Sequence, residues 1–289
     1  MEKDSSRKKV LITGANGFVG KQLITSLTNT NWELISAVRR SRGFEKEIIM
    51  DFEDPSFDLT IQSLPRVDAI VHLGAKVVWD NDASQILFRP NVMATAKLID
   101  WAKGINAYFV FASSITVCGV KELHITSKSK PNSDTGYGCS KWLAEEIIKM
   151  SGVRHGILRI SGIFGREGST HLEINKAIDG ALANVVPVQY GRGEMKRNYI
   201  YVKDLAEIIK FCIDHEMEGT NLVAGGSVNT IADMVQTICN IIIPGSKPRY
   251  CEGKTGQDQI VEHSMNLPKG RSFKDAVKDI LKDAKQTSL

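Results

Sequence analysis

The chain begins with an apolar run, Lys9–Thr13 (KVLIT), bounded by charge before and glycine after. This predicts a buried strand. Over Gly17–Thr28 the spacing changes, and Val19, Leu23, Ile24 and Leu27 fall on one helical face. Further short apolar runs predict strands at Glu33–Val38, Glu47–Met50, Asp68–Leu73, Ala107–Ala112 and Gly156–Ile160. Between them, helical spacing marks Asn91–Lys103 and Tyr137–Met150, the latter with Leu143, Ile147 and Met150 on its apolar side. Strands apolar on both faces, alternating with helices, predict an α/β architecture: a doubly wound parallel sheet covered on each side.

After about residue 166 glycines and polar residues interrupt the alternation. A helix is expected near 171–183, a strand at Arg197–Val202, a helix at Lys203–Asp214 and a strand at Thr220–Val223. Thr230–Ile243 is a further helix, stopped by Pro244-Gly245. Residues 245–289 are polar, with a last amphipathic helix at Phe273–Ala284. The lysine-rich stretch Lys121–Lys130 is expected as a solvated loop. The expected division is a nucleotide-type domain over 1–165, with a return segment near 197–224, and a smaller α+β domain mainly over 166–289.

Composition narrows the class. The 289 residues are 42% hydrophobic and 24% charged, with a net charge of +4, too mild to argue for a nucleic-acid partner or a membrane surface. No run reaches the roughly 18 apolar residues of a membrane helix. Met1–Lys9 lacks the apolar region of a signal peptide. Five cysteines (118, 139, 212, 239, 251) show no C-x-x-C spacing, and six histidines contain no H-E-x-x-H pair. Free thiols in a reducing cytoplasm and no metal site are expected.

The most specific local signal is Thr13-Gly14-Ala15-Asn16-Gly17-Phe18-Val19-Gly20, directly between the first strand and the first helix. Gly14 permits a tight turn, Gly17 lets backbone approach a pyrophosphate, and Gly20 allows close helix–strand packing; the helix N-terminus turns its N–H groups on the phosphates. This predicts a Rossmann-type dinucleotide site. NAD sites carry an acidic residue after the second strand; here Arg39, Arg40 and Arg42 stand there without a carboxylate. Guanidinium suits a 2′-phosphate, so NADP(H) is favoured through Arg39 and Arg40, with NAD(H) open and a plain basic loop as the alternative. Asp51 and Phe52 could hold the adenine.

Tyr137-Gly-Cys-Ser-Lys141 opens a helix and puts both functional side chains on one face. An adjacent ammonium is expected to lower the phenol pKa toward neutrality and fit it for acid–base work. Tyr199/Lys203 and Tyr250/Lys254 share the spacing, but only Tyr137 starts an amphipathic helix. It follows Phe111-Ala-Ser113-Ser114, at a strand end where such sheets bind ligands.

Together, T-G-A-N-G-F-V-G at 13–20, H-L-G-A at 72–75, Asn91, S-S-I-T-V-C-G at 113–119 and Y-G-C-S-K at 137–141 resemble the extended short-chain dehydrogenase/reductases. More narrowly they resemble the NAD(P)-dependent epimerase/dehydratase group, which acts largely on nucleotide sugars. The resemblance spans about residues 8–223. It implies a catalytic triad of Ser114, Tyr137 and Lys141. It also implies cofactor contacts from Gly14, Asn16, Gly17, Phe18, Val19, Gly20, Leu73, Gly74, Ala75 and Asn91 as well as Tyr137 and Lys141. Arg197 would grip the substrate diphosphate, and a homodimer would form through the Asn91–Lys103 and Tyr137–Met150 helices.

There are departures. Cys118 replaces a usual tyrosine, Gly162 stands where many epimerases carry asparagine, and a late Arg-x-Gly-Asp-like segment appears as Lys254-Thr-Gly-Gln257. Ile115-Thr116 replace the Asp-Glu pair of the family's 4,6-dehydratases, which argues against dehydration. The expected activity is hydride transfer at sugar C4 of a nucleotide sugar, with a 4-ketoreductase favoured over a 4-epimerase, which shares every residue named here. Reduction of a non-sugar carbonyl and non-catalytic NADP(H) sensing are the alternatives.

Overall fold

The computed structural model describes residues 7–78, 84–253 and 256–287. The chain divides into two compact units. The first takes the residues up to Val120, Lys130–Arg159 and Ala206–Asn221; the second takes Lys121–Ser129, Ile160–Leu205 and Leu222 onward.

A seven-stranded sheet organises the first unit. Its strands are β1 (Lys8–Thr13), β2 (Trp32–Val38), β3 (Glu47–Ile49), β4 (Ala69–His72), β5 (Tyr108–Ser114), β6 (His155–Ile160) and β7 (Gly219–Val223). Their order is β7-β6-β5-β4-β1-β2-β3. β1 pairs in parallel with β2 on one side and β4 on the other, in the registers Leu11↔Ile35 and Ile12↔Val71. β4 continues in parallel to β5 with His72 opposite Phe111. Chain direction therefore diverges from β1, and the crevice beside its C-terminal end is where doubly wound sheets bind ligands.

The helices are α1 (Phe18–Leu27), α2 (Phe57–Gln62), α3 (Ala94–Ile105), α4 (Gly136–Met150), α5 (Glu173–Leu182), α6 (Val202–His215), α7 (Ile231–Ile242) and α8 (Phe273–Thr287). A single turn, Ser84–Leu87, and a π-helical stretch, Phe88–Met93, lead into α3. α3 ends at Asn106, whose left-handed backbone (φ 57°) terminates the helix. On one side of the sheet, Leu11, Ile35, Ile70, Phe109 and Phe111 pack with Leu98 and Ile99 of α3 and Ala144 and Ile148 of α4. These strands lie wholly inside, which is why they read as unbroken apolar runs rather than alternating ones.

The inner face of α4 differs from the expected one. Its buried positions are Gly138, Ser140, Lys141, Ala144, Glu145 and Ile148. Leu143 and Met150 point outward, at 37% and 79% exposure, while Ile147 packs against the core. The inward stripe carries polar side chains with partners inside the protein, so apolarity alone misplaced the face.

In the second unit α5, α7 and α8 bury Ile178, Met234, Ile238, Val277 and Ile280. Phe164 stacks near Phe273 and Tyr201, at 4.9 and 5.6 Å between centroids. Lys203 pairs with Asp279 (2.9 Å) and Asp283 of α8. Two expectations change here. The strand expected at Arg197–Val202 is two short strands, Lys196–Arg197 and Ile200–Tyr201, and Val202 already begins α6. Between them buried Asn198 bonds through its side-chain amide to the backbone of Val261, at 2.7 and 3.1 Å, and so stands in for a ladder rung. Lys121–Lys130 is not simply a solvated loop either: His124–Ile125 forms a strand with Ile260–Val261, and Ile125 is buried.

A tight constraint at the start of α1 is Gly20, where an added Cβ would overlap the carbonyl oxygens of Gly14 and Ala15. Gly20→Ala is expected to lower stability by about 1–3 kcal/mol, read as a reduced denaturation midpoint with an unchanged urea m-value.

Candidate active site

Three loops meet beyond the C-terminal ends of β1, β3 and β4. Gly14 adopts φ 68°, and its carbonyl accepts the Gly17 N–H at 2.8 Å, closing the turn. A Cβ on Gly14 would stand 2.9 Å from Gly74 N, and one on Gly74 would stand 2.6 Å from the Phe52 ring. Glycine is thus needed for contact between the loops as well as for the turn. Gly17 is the N-cap of α1 and offers no side-chain cap, so the helix end presents backbone alone. Asn16, Phe18, Val19, Leu73 and Ala75 line the same turns, each partly exposed. This bare, positively polarised helix end behind a tight glycine turn fits a pyrophosphate, and hence a dinucleotide.

The neighbouring loops carry the remaining residues named from sequence. Arg39 and Arg40 are exposed just beyond β2. A carboxylate does stand nearby in space: Glu47 accepts from Ser41 Oγ (2.6 Å), Arg42 N (2.7 Å) and Phe44 N (3.1 Å). Its oxygens are spent on shaping this loop. Asp51 accepts the Glu53 N–H at 3.0 Å, and Phe52 meets Phe57 and His72 edge-on.

Ser114 closes β5. Its Oγ accepts from the Thr116 N–H (3.2 Å) and hydroxyl (3.0 Å), capping the turn Ile115–Cys118. α4 starts beside it: Thr135 caps the helix by accepting Gly138 N–H at 3.1 Å. A Cβ at Gly138 would overlap Thr116 O, so the first helical turn rests directly on the turn that Ser114 caps. Tyr137, half-buried, and Lys141, buried, therefore come to the end of β5. Lys141 Nζ donates to Ala112 O at 2.7 Å and sits 4.5 Å over the Phe111 ring and 5.9 Å from the Tyr137 ring centroid.

The electrostatics correct the expectation for the phenol. Burial pushes Tyr137 up to about 12 instead of toward neutrality. Burial likewise drives the Lys141 amine down to about 7, so the ammonium that was to favour tyrosinate is itself only partly charged near neutral pH. The protein alone keeps Tyr137 as a phenol at neutral pH.

Sequence reasoning missed the polar chain beneath these residues. Thr95 hydroxyl donates to Asn91 O (2.7 Å), so it accepts from His72 Nε2 (3.0 Å). His72 Nδ1 then accepts from Thr13 Oγ1 (2.7 Å), which accepts Gly74 N–H (3.1 Å). Burial pushes His72 down to about 3, so it stays neutral. Buried Asn91 exchanges bonds with both Lys76 N and O and donates to Ser140 Oγ (3.0 Å), which donates to Tyr137 O (2.8 Å). Asn91 thus braces the loop after β4 against α4. The histidine in an otherwise apolar strand was the available signal.

Arg197 lies in the second unit, where its guanidinium donates to Gln257 O (2.7 Å) and Lys196 O (2.8 Å). Lys254 and Thr255, named from sequence beside Gln257, lie outside the described residues. Gly162 is closed over by Tyr199, whose ring would stand 2.5 Å from an added Cβ.

A parallel sheet with a glycine turn at its divergence point, next to a Ser/Tyr/Lys cluster, defines a dinucleotide-dependent enzyme of the extended short-chain dehydrogenase type. Residues 10–225 match the NAD dependent epimerase/dehydratase family, and the chain belongs to it. UDP-glucose 4-epimerase of Vibrio cholerae is 26% identical, over 80% of this chain and 75% of its own. UDP-glucuronic acid 4-epimerase from Bacillus cereus, solved with NAD, superposes with a TM-score of 0.79 at 19% identity, over 96% and 99% of the two chains. dTDP-4-dehydrorhamnose reductase from Bacillus anthracis, solved with NADP, does so with 0.80 at 18% identity, over 96% and 98%.

His72→Phe is expected to strand the Thr13 and Thr95 hydroxyls and to cost about 1–3 kcal/mol. Thermal denaturation across pH 5–8 checks this; the loss should be full at pH 8 and shrink as pH falls below about 6.5, because there the unfolded wild type takes a proton on His72 that the folded protein, with His72 held down to about 3, does not.

Proposed function

We propose that the protein is an NADP(H)-dependent oxidoreductase of a nucleotide-activated sugar, transferring hydride at sugar C4, and that it works as a 4-ketoreductase. The observation that carries the cofactor choice is the arginine run leaving β2, where Arg39 and Arg40 rather than an acidic residue directly follow the strand and Glu47, further along the loop, is committed to Ser41 and backbone N–H groups. The same arginine run supports the direction, because a reductase must exchange spent NADP+ for NADPH at each turnover. The similar proteins include both 4-epimerases and a 4-keto-sugar reductase solved with NADP, and they frame the substrate class.

The chemistry a dinucleotide supplies when bound is hydride transfer. The chain's own residues handle the rest. Tyr137 passes its hydroxyl proton to the sugar oxygen as the carbonyl is reduced. Ser114 Oγ, fixed at the strand end by the turn it caps, donates to the same oxygen and stabilises its developing charge. Lys141 holds the ribose side of the site and, in its charged form, eases loss of the phenolic proton. Arg197 offers a guanidinium to the substrate diphosphate, and the second unit, apart from its helical core, is the substrate-binding part. Exposed Met93 and Trp142, beside outward-facing Leu143, support the homodimer through α3 and α4.

Two experiments test this. Tyr137→Phe should lower kcat by about 10²–10⁴-fold with little change in dinucleotide affinity; unchanged turnover removes the mechanism. Arg39→Ala should weaken NADPH binding by about tenfold or more while leaving NADH binding unaltered, as measured by calorimetry. A wild-type protein that releases stoichiometric NAD+ on denaturation would instead assign it to the epimerases.

A further inference from the structure

One helical turn beyond Lys141, on the same face of α4, stands Glu145. Its carboxylate is fully buried. Ser113 of β5 donates to it at 2.5 Å. Arg159 of β6 donates from Nε at 3.0 Å and from Nη2 at 2.7 Å, and its Nη1 reaches Cys118 Sγ at 3.7 Å. Lys149 Nζ lies 3.6 Å away at the helix edge. Removing a carboxylate from water is costly unless it is paired, and a buried pair is weak evidence of a purely stabilising role.

The groups around Lys141 show what this charge does. On α4 they are Tyr137 and Glu145. β5 contributes the Ala112 carbonyl and the Phe111 ring. β4 contributes His72, held neutral by burial, and β6 contributes Arg159, behind Glu145. Glu145 is therefore the negative charge in this cluster. Ser113, which it holds, is the residue before Ser114.

We propose that Glu145 is a positioning residue for the active site: its carboxylate supplies the buried negative charge that keeps Lys141 an ammonium, and its bond to Ser113 fixes the strand end that carries Ser114. Burial pulls the Lys141 amine down and Glu145 opposes that pull. Arg159 tempers the effect by offsetting the carboxylate. The two partners therefore act on Lys141 with opposite sign. The catalytic consequence rests on the role proposed above for Lys141; the charge coupling does not.

The test uses the full chain with lysine labelled at 13Cε, the Lys141 signal being assigned by its loss in Lys141→Met. Glu145→Gln should move the Lys141 titration midpoint down by about one pH unit. Arg159→Gln should move it up. Glu145→Asp, which keeps the charge, should stay near the wild-type midpoint even where it costs stability. With a nucleotide sugar as substrate, the alkaline limb of kcat, where Lys141 loses its proton, should follow the same three directions. Midpoints that coincide with wild type, or that move the same way in Glu145→Gln and Arg159→Gln, would overturn the proposal and leave a structural ion pair. A wild-type protein without turnover on any nucleotide sugar would defeat the proposed function, while the titration would still decide the role of Glu145.

Discussion

Polar groups held beneath the strand ends are what the functional edge of the first unit depends on. A group withdrawn from water must find its partner inside the protein. Among the described residues no buried side-chain nitrogen or oxygen lacks one. Thr13, His72, Thr95, Asn91 and Ser140 meet this condition in sequence, each hydroxyl or amide serving the next. The chain starts at the backbone of Gly74 and ends at the backbone of Tyr137. It joins the glycine turn, the loop after β4 and the start of α4. An apolar core would hold these elements together but would not set their register, because hydrophobic contact is non-directional.

Glycine complements this by removing side chains where backbones must touch. Gly14, Gly20, Gly74 and Gly138 each stand where a Cβ would crowd a neighbouring loop or the next turn of chain. Gly14 alone of these also needs a left-handed backbone. The outcome is a set of loops packed against one another without bulk, leaving the end of α1 bare. A bare helix end favours an anion through backbone geometry and helix polarity, whichever base or sugar the rest of a ligand carries.

The chemistry is balanced by burial rather than by simple proximity of charges. Tyr137 and Lys141 are both penalised for ionising, so each sits on its neutral side more than its position beside the other suggests. Around them Glu145, Arg159 and Ser113 form a second buried polar group whose charges partly cancel. Such an arrangement suits a site in which a proton must stay on the phenol until a substrate oxygen takes it. An epimerase and a reductase both superpose on this chain, so overall structural similarity does not separate the two reactions.

Much of this was legible along the chain. The buried strands showed as apolar runs because both faces of the sheet are covered. The glycine turn and the Y-x-x-x-K helix showed because turn geometry and helical spacing are local. The missed features are of another kind. Leu143 and Met150 were placed on the inner face of α4 since apolarity is the usual guide, whereas Lys141 and Glu145 face inward because partners on β5 and β6 await them. Asn198 interrupts an expected strand because Val261, 63 residues away, supplies its bonds. The amino-acid sequence by itself determined the fold class and the family and named candidate residues for the chemistry, because these depend on short-range spacing. Only the tertiary structure decided which of them are charged, which are braced and by what, because desolvation and hydrogen bonding depend on neighbours far apart along the chain.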